Sequence, residues 1–411
     1  MKVLWVGHNL AFPPKGGALQ RNYNLLRELA RKCDVHVLAF DQPVTRPPEV
    51  TPEDCVRALS EFCVSVDWVP LSATSSRSSR YRLALKGLMS GEAYDFAWLR
   101  SNEMVVKLQG LVNKVGPDVA HVDALGLSQY LPYLGSCRTV LNHHDVESCK
   151  IEVRSQTEPN PLLRSYFKLE ARKLQAAERR WCPQFGVNIV VSEEEGQVLS
   201  RLCQNLTVRV VPNGVDTKYF TPRQDPETQT VLFCGSMDMY PNQEAVDYFV
   251  KKVWPLVIAQ SPGACLQVVG RRPPEWVVRL QHQDSRIHVT GYVDDVRPYF
   301  QQAAVCVCPI LSGGGTRLKI LDSMAMGVPV VSTTFAASGL SLEHDQHLLF
   351  ADAPELFADH ILRLLSNTEL RARLAMAGAE RVNKLYSWTV VGRAILDAYE
   401  LARARRQSGV R

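Results

Sequence analysis

Short runs of β-branched and other apolar residues alternate with longer helical patterns along this chain, and the alternation occurs twice. This order is typical of parallel sheets with helices on both faces. The pattern therefore predicts an α/β protein with two doubly wound domains. In the first half the strand candidates are Val3–Val6, Asp34–Phe40, Val64–Val69, Phe96–Leu99, Asp118–Val122, Arg138–Asn142 and Val187–Val191. In the second half they are Thr230–Cys234, Ala264–Val269, Arg286–Thr290, Val305–Pro309, Pro329–Ser332 and His347–Phe350.

The domain boundary is predicted near Val208–Asp216, where a short strand runs into a Pro-Asn-Gly turn. We expect residues 1–207 and 208–389 to form the two domains. A last helix over 390–411 follows too late to be needed by the second sheet, so we expect it to cross back onto the first domain. Ligands of such sheets bind outside the carboxyl ends of the strands, so the two domains should face each other across a cleft.

Composition limits the classes of function. The 411 residues carry a net charge of +5, which suits anionic small molecules or an anionic membrane surface but is too small for a nucleic-acid binder. No apolar run approaches the ~20 residues of a membrane-spanning helix, and the first seven residues fit a strand rather than a signal peptide. The 11 cysteines show no metal-ligand spacing. We expect a cytoplasmic protein with reduced thiols and no metal site.

Three glycines and two cations stand at the start of a helix predicted over Thr316–Met326. Arg317 and Lys319 in its first turn would oppose the helix dipole at a cost of about 0.3–1 kcal/mol each. A bound anion removes that cost, and exposed backbone N–H groups of the glycines can contact it directly. The segment therefore predicts a phosphate or pyrophosphate site. The alternative is an ordinary surface helix whose two cations are solvated.

A second glycine pair, Gly16 and Gly17, precedes a helix predicted from Ala18. Its backbone N–H groups could approach a phosphate closely, and Arg21 places another cation near the helix start. The alternative is a plain turn.

An ordered set of short motifs resembles the two-Rossmann-domain (GT-B) glycosyltransferases, specifically the retaining group called family 4. The resemblance covers nearly the whole chain, and its specificity comes from the order of the motifs. They are Pro13–Gly17, Asn142–Asp145, Val210–Phe220, Val268–Gly270, Val289–Asp295, Gly313–Val331 and Ser387–Trp388.

The resemblance implies a hexosyltransferase that moves a sugar from a nucleoside-diphosphate donor with retention at the anomeric carbon, without a metal ion or other cofactor. By resemblance, the catalytic residues are Arg317 and Lys319, which would stabilise the departing pyrophosphate, and His144, which would bond a sugar hydroxyl. Asp322 is expected to bond the ribose. The implied donor-binding residues are Gly16, Gly17, Gly270, Val293, Gly313, Gly314, Gly315, Thr316, Leu318 and Asp322.

Two departures from the family pattern stand out. The loop 235–242 lacks the Arg and Lys that many members carry there. Of the acidic pair that the family spaces eight positions apart, Gly314 replaces the first member and Asp322 stands in place of the usual Glu. Several of the implied roles have structural alternatives. Asp322 could form a local ion pair with Lys319. His144 could be a structural histidine satisfied by Asp145 or by main chain. Gly270 and Val293 could be turn residues.

The implied acceptor is a glycan or lipid-linked sugar in surface polysaccharide, exopolysaccharide or glycolipid synthesis. A basic stretch around Arg77–Leu88 predicts peripheral contact with the inner face of a membrane, with a solvated surface helix as the alternative. Two other functions fit the same architecture. One is a nucleotide-sugar epimerase, and the other is a noncatalytic nucleotide-sugar-binding partner of another transferase.

Overall fold

The computed structural model describes residues 1–14, 16–43, 46–71, 87, 91–222, 226, 228–313, 315 and 317–404. The chain forms two compact units. The first contains Met1–Pro212 and the last helix from Val391 onward, and the second contains Asn213–Val390. Each unit has its own hydrophobic core.

The first unit is built on a parallel sheet of seven strands in the order β3-β2-β1-β4-β5-β6-β7. The central strand β4 is buried at every position, as expected for a sheet covered on both faces. The strands are β1 Lys2–Gly7, β2 Asp34–Asp41, β3 Ser65–Pro70, β4 Val119–Val122, β5 Arg138–Asn142, β6 Val187–Val190 and β7 Val208–Val210.

Side-chain caps define where several helices of this unit begin. Thr51 forms a capping box with Asp54, and Ser101 and Ser192 each accept a backbone N–H of the following turn. A 3₁₀ segment, Leu125–Tyr133, follows β4. The helices are α1 Gly17–Ala30, α2 Pro52–Leu59, α3 Tyr94–Trp98, α4 Asn102–Val115, α5 Glu147–Thr157, α6 Pro161–Trp181 and α7 Glu193–Leu202.

The second unit contains a parallel sheet of six strands in the order β10-β9-β8-β11-β12-β13. Its strands are β8 Thr230–Cys234, β9 Cys265–Val269, β10 Ile287–Gly291, β11 Val305–Cys308, β12 Val330–Ser332 and β13 Leu349–Phe350. The remaining helices are α8 Tyr240–Tyr248, α9 Trp254–Gln260, α10 Glu275–Gln283, α11 Arg297–Gln302, α12 Leu318–Ala325, α13 Pro354–Ser366, α14 Thr368–Leu385 and α15 Trp388–Ala404. A π-helical turn, Phe249–Val253, joins α8 to α9.

The predicted fold class, two parallel-sheet Rossmann-like domains, is confirmed. Three predicted elements need correction. Phe96–Leu99 was predicted as a strand, but it lies largely within the short helix α3, because its apolar side chains pack into the core of the first unit without pairing to a strand. The strand Val208–Val210, placed at the start of the second domain, pairs with β6 in the first sheet. The helix predicted from Thr316 begins at Leu318.

In both sheets the strand order reverses direction at a central pair of strands. The reversal falls between β1 and β4 in the first sheet and between β8 and β11 in the second. Ligands of doubly wound sheets bind at the carboxyl ends of such strands, where the loops diverge. Residues just after β1, β4, β8 and β11 are therefore the first candidates for function.

The last helix packs within the first unit from Val391 onward. Gly392 lies against Glu28 of α1 so closely that an added Cβ would be 2.6 Å from the Glu28 Cβ. The buried Tyr399 hydroxyl lies 2.9 Å from Nδ1 of His121 on β4. None of the described helices combines the length and apolarity needed to cross a bilayer.

Candidate functional site

The glycine-rich segment follows β11 at the carboxyl edge of the second sheet. Gly313 has a φ of 94°, and an added Cβ would lie 2.7 Å from Cγ of Pro241, so only glycine fits there. Gly315 also has a positive φ, of 80°. Gly314 and Thr316, both expected to bind the donor, lie outside the described residues.

Arg317 precedes helix α12 as its cap residue rather than lying within the first turn. Its guanidinium turns back onto the glycine segment. Nη2 donates to the carbonyl oxygens of Gly313 and Ser312 at 2.7 and 3.2 Å, and Nη1 donates to that of Gly315 at 2.9 Å. The cation therefore lies over the loop that the sequence predicts to hold an anion, and it also fixes the shape of that loop.

Lys319 extends from α12 to the loop that follows β8. Its Nζ lies 2.8 Å from Oδ1 of Asn242 and 4.3 Å from the centre of the Phe233 ring. Burial lowers the pKa of this ammonium. The loop 235–242 has no cation of its own, so Lys319 places a positive charge against it from a different element.

Asp322 lies one turn further along α12. Its Oδ1 is shielded from solvent and has no hydrogen-bond partner, and burial raises the pKa of the carboxyl to about 7. No ion pair joins Asp322 to Lys319 in the described structure, so the local alternative is wrong. An unsatisfied buried carboxyl is costly, and a ligand that donates hydrogen bonds would remove that cost.

The other residues expected around the donor also occupy the carboxyl edge or pack beneath it. Gly270 follows β9, and an added Cβ would lie 1.8 Å from the carbonyl oxygen of Gly235, so the glycine is required by packing of two loops. Val293 follows β10, and Leu318 begins α12. Both are partly buried against the core of the second unit.

Two cations at this edge were not predicted. Arg271 and Arg272 directly follow Gly270 and approach Asp238 at 3.4 and 3.8 Å. Arg272 has a φ of 52°, which is unusual for a residue with a side chain. A Gly-Arg-Arg sequence immediately after a strand was the available signal for both.

In the first unit, Gly16 and Gly17 form the start of α1. Gly16 has a φ of 104°, and no atom lies within 4 Å of an added Cβ at either glycine. Arg21 does not accompany them, because its buried guanidinium donates to the carbonyl oxygens of Pro212 and Val211 at 2.9 and 2.8 Å. The Arg21 cation therefore stabilises the backbone at Val211 and Pro212, where the first segment of this unit ends.

His144 follows β5, and its partner is a carboxylate that the sequence did not single out. Nε2 of His144 lies 3.1 Å from Oδ1 of Asp123, the residue after β4. The expected alternative partner, Asp145, instead pairs with Lys150 at 2.6 Å. The adjacent His143 points away into the sheet and bonds Asn188 at 3.2 Å.

Asp123 is fully buried and accepts four nitrogen donors. Oδ1 accepts from Asn142 and His144, at 2.9 and 3.1 Å. Oδ2 accepts from Asn22 and His8, at 2.5 and 2.9 Å. A carboxylate offers about four lone-pair sites, so this one is satisfied.

The charges of this cluster follow from its contacts. Burial would raise the pKa of Asp123, but the neighbouring imidazoles of His144, His121 and His8 hold it well below its ordinary range. Burial lowers the pKa of His8, yet the hydrogen bond and charge of Asp123 reverse the direction and raise it. For His144 burial prevails and the pKa is lowered. Of these two imidazoles, His8 therefore holds a proton more readily than an ordinary histidine, and His144 less readily.

The atoms of His8, Asp123 and His144 lie close enough together to hold a metal ion. The four N–H donors already occupy the oxygens of Asp123, so the arrangement fits a hydrogen-bonded cluster better than a metal centre. His8 and Asp123 were missed because each is a single residue after a strand, with no motif around it. Their positions directly after β1 and β4 were the available signal.

A cavity of about 410 Å³ also lies in the first unit, between α4, α6 and the 3₁₀ segment. Aromatic rings and cations line it, including Tyr133, Trp181, Arg100 and Arg180. The Arg180 guanidinium lies 4.9 Å from the centre of the Trp181 ring. Such a surface, aromatic and polar together, suits a ligand with both apolar faces and hydroxyl groups.

Comparison with known proteins identifies both halves of the chain. Residues 15–219 match the family described as Glycosyltransferase Family 4, and residues 228–367 match that described as Glycosyl transferases group 1. A phosphatidyl-myo-inositol mannosyltransferase of Mycobacterium leprae is 30% identical over 206 residues, 46% of this chain and 52% of the relative. The lipopolysaccharide core biosynthesis glycosyltransferase LpsE of Rhizobium meliloti is 32% identical over 154 residues, 34% of this chain and 42% of the relative.

The chain spans about half the length, or less, of the curated relatives it matches. Among solved structures, Anabaena HepE in complex with UDP and glucose aligns with a TM-score of 0.66 at 12% identity, covering 97% of this chain and 99% of HepE. That likeness supports the GT-B fold. The chain therefore carries glycosyltransferase family domains in both of its units.

Proposed function

We propose that this chain, which carries glycosyltransferase group 1 and family 4 domains, transfers a sugar from a nucleoside-diphosphate sugar to a glycan or lipid-linked acceptor, with retention at the anomeric carbon. The observation that carries the proposal is the edge of the second sheet, where Arg317 lies over a glycine loop, Lys319 contacts Asn242, and the shielded Oδ1 of Asp322 has no hydrogen-bond partner. HepE, which shares the fold, was solved with UDP and glucose.

The proposed chemistry uses the two cations in place of a metal. As the bond to the anomeric carbon breaks, negative charge collects on the pyrophosphate, and fixed cations and N–H dipoles lower the free energy of that state. Arg317 and Lys319 supply the charge, and the amides of Gly313 and Gly315 supply dipoles. Transfer should accordingly persist in excess EDTA. Activity that disappears with the chelator and returns with Mg²⁺ or Mn²⁺ would contradict this part of the proposal.

The other implied residues are proposed to contact the remaining parts of the donor. Asp322 accepts hydrogen bonds from the ribose hydroxyls, Leu318 packs beside the nucleoside, and Gly270 and Val293 flank the base. Gly16 and Gly17 present backbone N–H groups to the phosphates, and His144 bonds a hydroxyl of the transferred sugar. These assignments rest on the family resemblance and on positions at the carboxyl edges of the two sheets.

The proposed acceptor belongs to surface polysaccharide, exopolysaccharide or glycolipid synthesis at the cytoplasmic face of a membrane. The names of the relatives support this class, since one acts on phosphatidyl-myo-inositol and another in lipopolysaccharide core biosynthesis. The basic stretch Arg77–Leu88, of which the structure describes only Gly87, is the proposed membrane contact. Flotation with vesicles containing anionic lipid should carry the protein upward at low salt and release it at high salt.

Incubation with labelled UDP-sugars and GDP-sugars tests the function directly. A transferase hydrolyses its donor slowly without an acceptor and forms a glycoside with one. An isomerised donor would instead identify an epimerase, and nucleotide binding without turnover would identify a noncatalytic partner. A thermal-shift series with nucleoside diphosphates should come first, because a ligand at 100 times its dissociation constant adds about 2.7 kcal/mol to the free energy of unfolding.

A further inference from the structure

The buried carboxylate of Asp123 is hydrogen-bonded to side chains from neighbouring elements. With Asp123 itself, these residues come from the ends of three strands and from one helix. His8 follows β1, Asp123 follows β4, and His144 follows β5 by one residue, while Asn22 comes from α1. These strands are neighbours in the sheet, in the order β1-β4-β5. The cluster therefore lies at the carboxyl edge where the strand order reverses, which is where doubly wound sheets bind ligands.

We infer that Asp123 is a positioning residue for sugar transfer, which orients His144 and fixes the tautomer of its ring. The inference rests on the proposed function, in which His144 bonds a hydroxyl of the transferred sugar.

The tautomer follows from the hydrogen bonds. An ionised carboxylate only accepts, so the ring nitrogen that faces Asp123 must carry the proton. That nitrogen is Nε2 of His144, 3.1 Å from Oδ1. Burial lowers the pKa of His144 and so favours the neutral ring, in which Nδ1 is unprotonated and can only accept. His144 would therefore accept a hydrogen bond from a sugar hydroxyl and would not donate one.

The other donors to Asp123 make this arrangement rigid. Asn22 and His8 occupy Oδ2, and Asn142 shares Oδ1 with His144, so the carboxylate cannot rotate without breaking bonds to buried groups. Asn142 in turn accepts a bond from Arg21 at 3.3 Å. The His144 ring also meets the His8 ring edge to face, with centroids 5.3 Å apart. Side chains fixed in this way hold a reacting geometry without ordering cost at each turnover.

The tautomer can be tested in the unaltered protein. Nitrogen-15 spectra of histidine-labelled protein should show His144 with a protonated Nε2 and an unprotonated Nδ1, identified by loss of its signals in His144→Gln. A His144 protonated at Nδ1 would overturn the inference. Zinc binding that shifts the His8 and His144 signals together would overturn it as well, because a metal would replace the protons that define the network.

Kinetics test whether Asp123 acts through His144. An asparagine at 123 can donate to Nε2 of His144 and so reverse the tautomer, and we expect Asp123→Asn to lower kcat about tenfold or more while the donor KM changes less than about threefold. In the double variant with His144→Gln the loss should not exceed that of His144→Gln alone. If the fold loss of kcat in the double variant equals the product of the losses in the two single variants, Asp123 acts independently of His144.

Asn188 provides the matched control. It is as buried as Asp123 and bonds the neighbouring His143, but among the described residues no hydrogen bond joins it to Asp123 or His144. Asn188→Ser should lower the melting temperature about as much as Asp123→Asn while keeping kcat within about threefold of the wild type. An equal fall of kcat in both variants would reduce the role of Asp123 to stability and overturn the inference.

The spectroscopic arm needs no enzyme activity, so it separates this inference from the proposed function. A protein that transfers no sugar but shows the Nε2–H tautomer would refute the function and keep the positioning role of Asp123 toward His144. A protein that transfers sugar with His144 protonated at Nδ1 would keep the function and refute the positioning role.

Discussion

At the scale of single residues, Arg317 has two tasks that a substitution separates. Its guanidinium holds three carbonyl oxygens of the glycine segment, and in the proposed reaction it also stabilises charge on the leaving pyrophosphate. A lysine keeps the charge but cannot make the forked contacts. The two tasks therefore predict different outcomes for alanine and lysine at this position.

Arg317→Ala should lower kcat at least about tenfold, because it removes charge that matters most in the transition state. Arg317→Lys should recover part of kcat but leave the donor KM raised, because the loop carbonyls lose their fixed donors. Steady-state kinetics with both variants check this. Turnover unchanged in the alanine variant would rule out the assignment of Arg317.

The raised pKa of Asp322 leads us to expect that the free energy of unfolding depends on pH. Burial raises the pKa of this carboxyl from 3.8 to about 7, so the folded protein holds a proton that the unfolded chain releases. Between these two values the unfolded state binds fewer protons, so this group makes the free energy of unfolding fall as pH rises, and the loss is complete above about pH 7. A donor ribose that gives hydrogen bonds to the ionised carboxylate would oppose that loss.

Nucleotide affinity should therefore increase from about pH 6 to about pH 8, as the carboxylate that accepts the ribose bonds becomes ionised. Calorimetry at several pH values measures this, with Asp322→Asn as the control that cannot ionise. The asparagine variant should bind more weakly at high pH and show a flatter pH profile. An identical slope in both proteins would remove Asp322 from the site.

At the scale of elements, the loops after β8 and β9 depend on glycine where they meet. An added Cβ at Gly270 would lie 1.8 Å from the carbonyl oxygen of Gly235, so the two loops cannot keep their positions beside any side chain. The loop after β9 also carries the cations Arg271 and Arg272, and the loop after β8 leads into α8, which carries Lys319's partner Asn242. Packing of the loops and placement of charge are thus linked.

Gly270→Ala should lower the free energy of unfolding by more than about 3 kcal/mol, since backbone must move to relieve the contact. Gly110→Ala is a control with the opposite sign. Gly110 lies in the middle of α4 with no atom near an added Cβ, so alanine there should stabilise the protein by about 0.5–1 kcal/mol. Denaturant unfolding of both variants measures the difference, and a neutral Gly270→Ala would refute the packing argument.

At the scale of the whole molecule, the last helix of the chain belongs to the first unit. Its residues from Val391 onward pack there, and Tyr399 reaches His121 in the middle of the first sheet. Trp5 stacks on the same His121 ring with centroids 3.8 Å apart. The C-terminal segment is therefore part of the core beneath the Asp123 cluster.

Tyr399→Phe should lower the free energy of unfolding by about 1–2 kcal/mol, because it leaves Nδ1 of His121 buried without its donor. Tyr133→Phe, at an exposed position, should change it by less than about 0.5 kcal/mol. Thermal unfolding of the two variants provides the comparison. Equal stability of both would show that the hydroxyl contact with His121 contributes little.

Local patterns in the sequence were enough to determine the two α/β domains and the glycine and cation cluster before α12. Period-2 and period-3.6 patterns are properties of neighbouring residues, and so are a glycine loop and the cations beside it. The same locality explains the error at Phe96–Leu99, where a short apolar run has no period long enough to distinguish a strand from a helix.

Tertiary structure alone decided which side chains meet. His8 and Asp123 are 115 positions apart, and Arg21 and Pro212 are 191 apart, so no local pattern could join them. His8 and Asp123 meet because β1 pairs with β4 on one side as well as with β2 on the other, which brings the ends of β1 and β4 and their polar residues to one edge. Strand order results from packing of the whole sheet, and for that reason the partner of His144 became visible only in the folded chain.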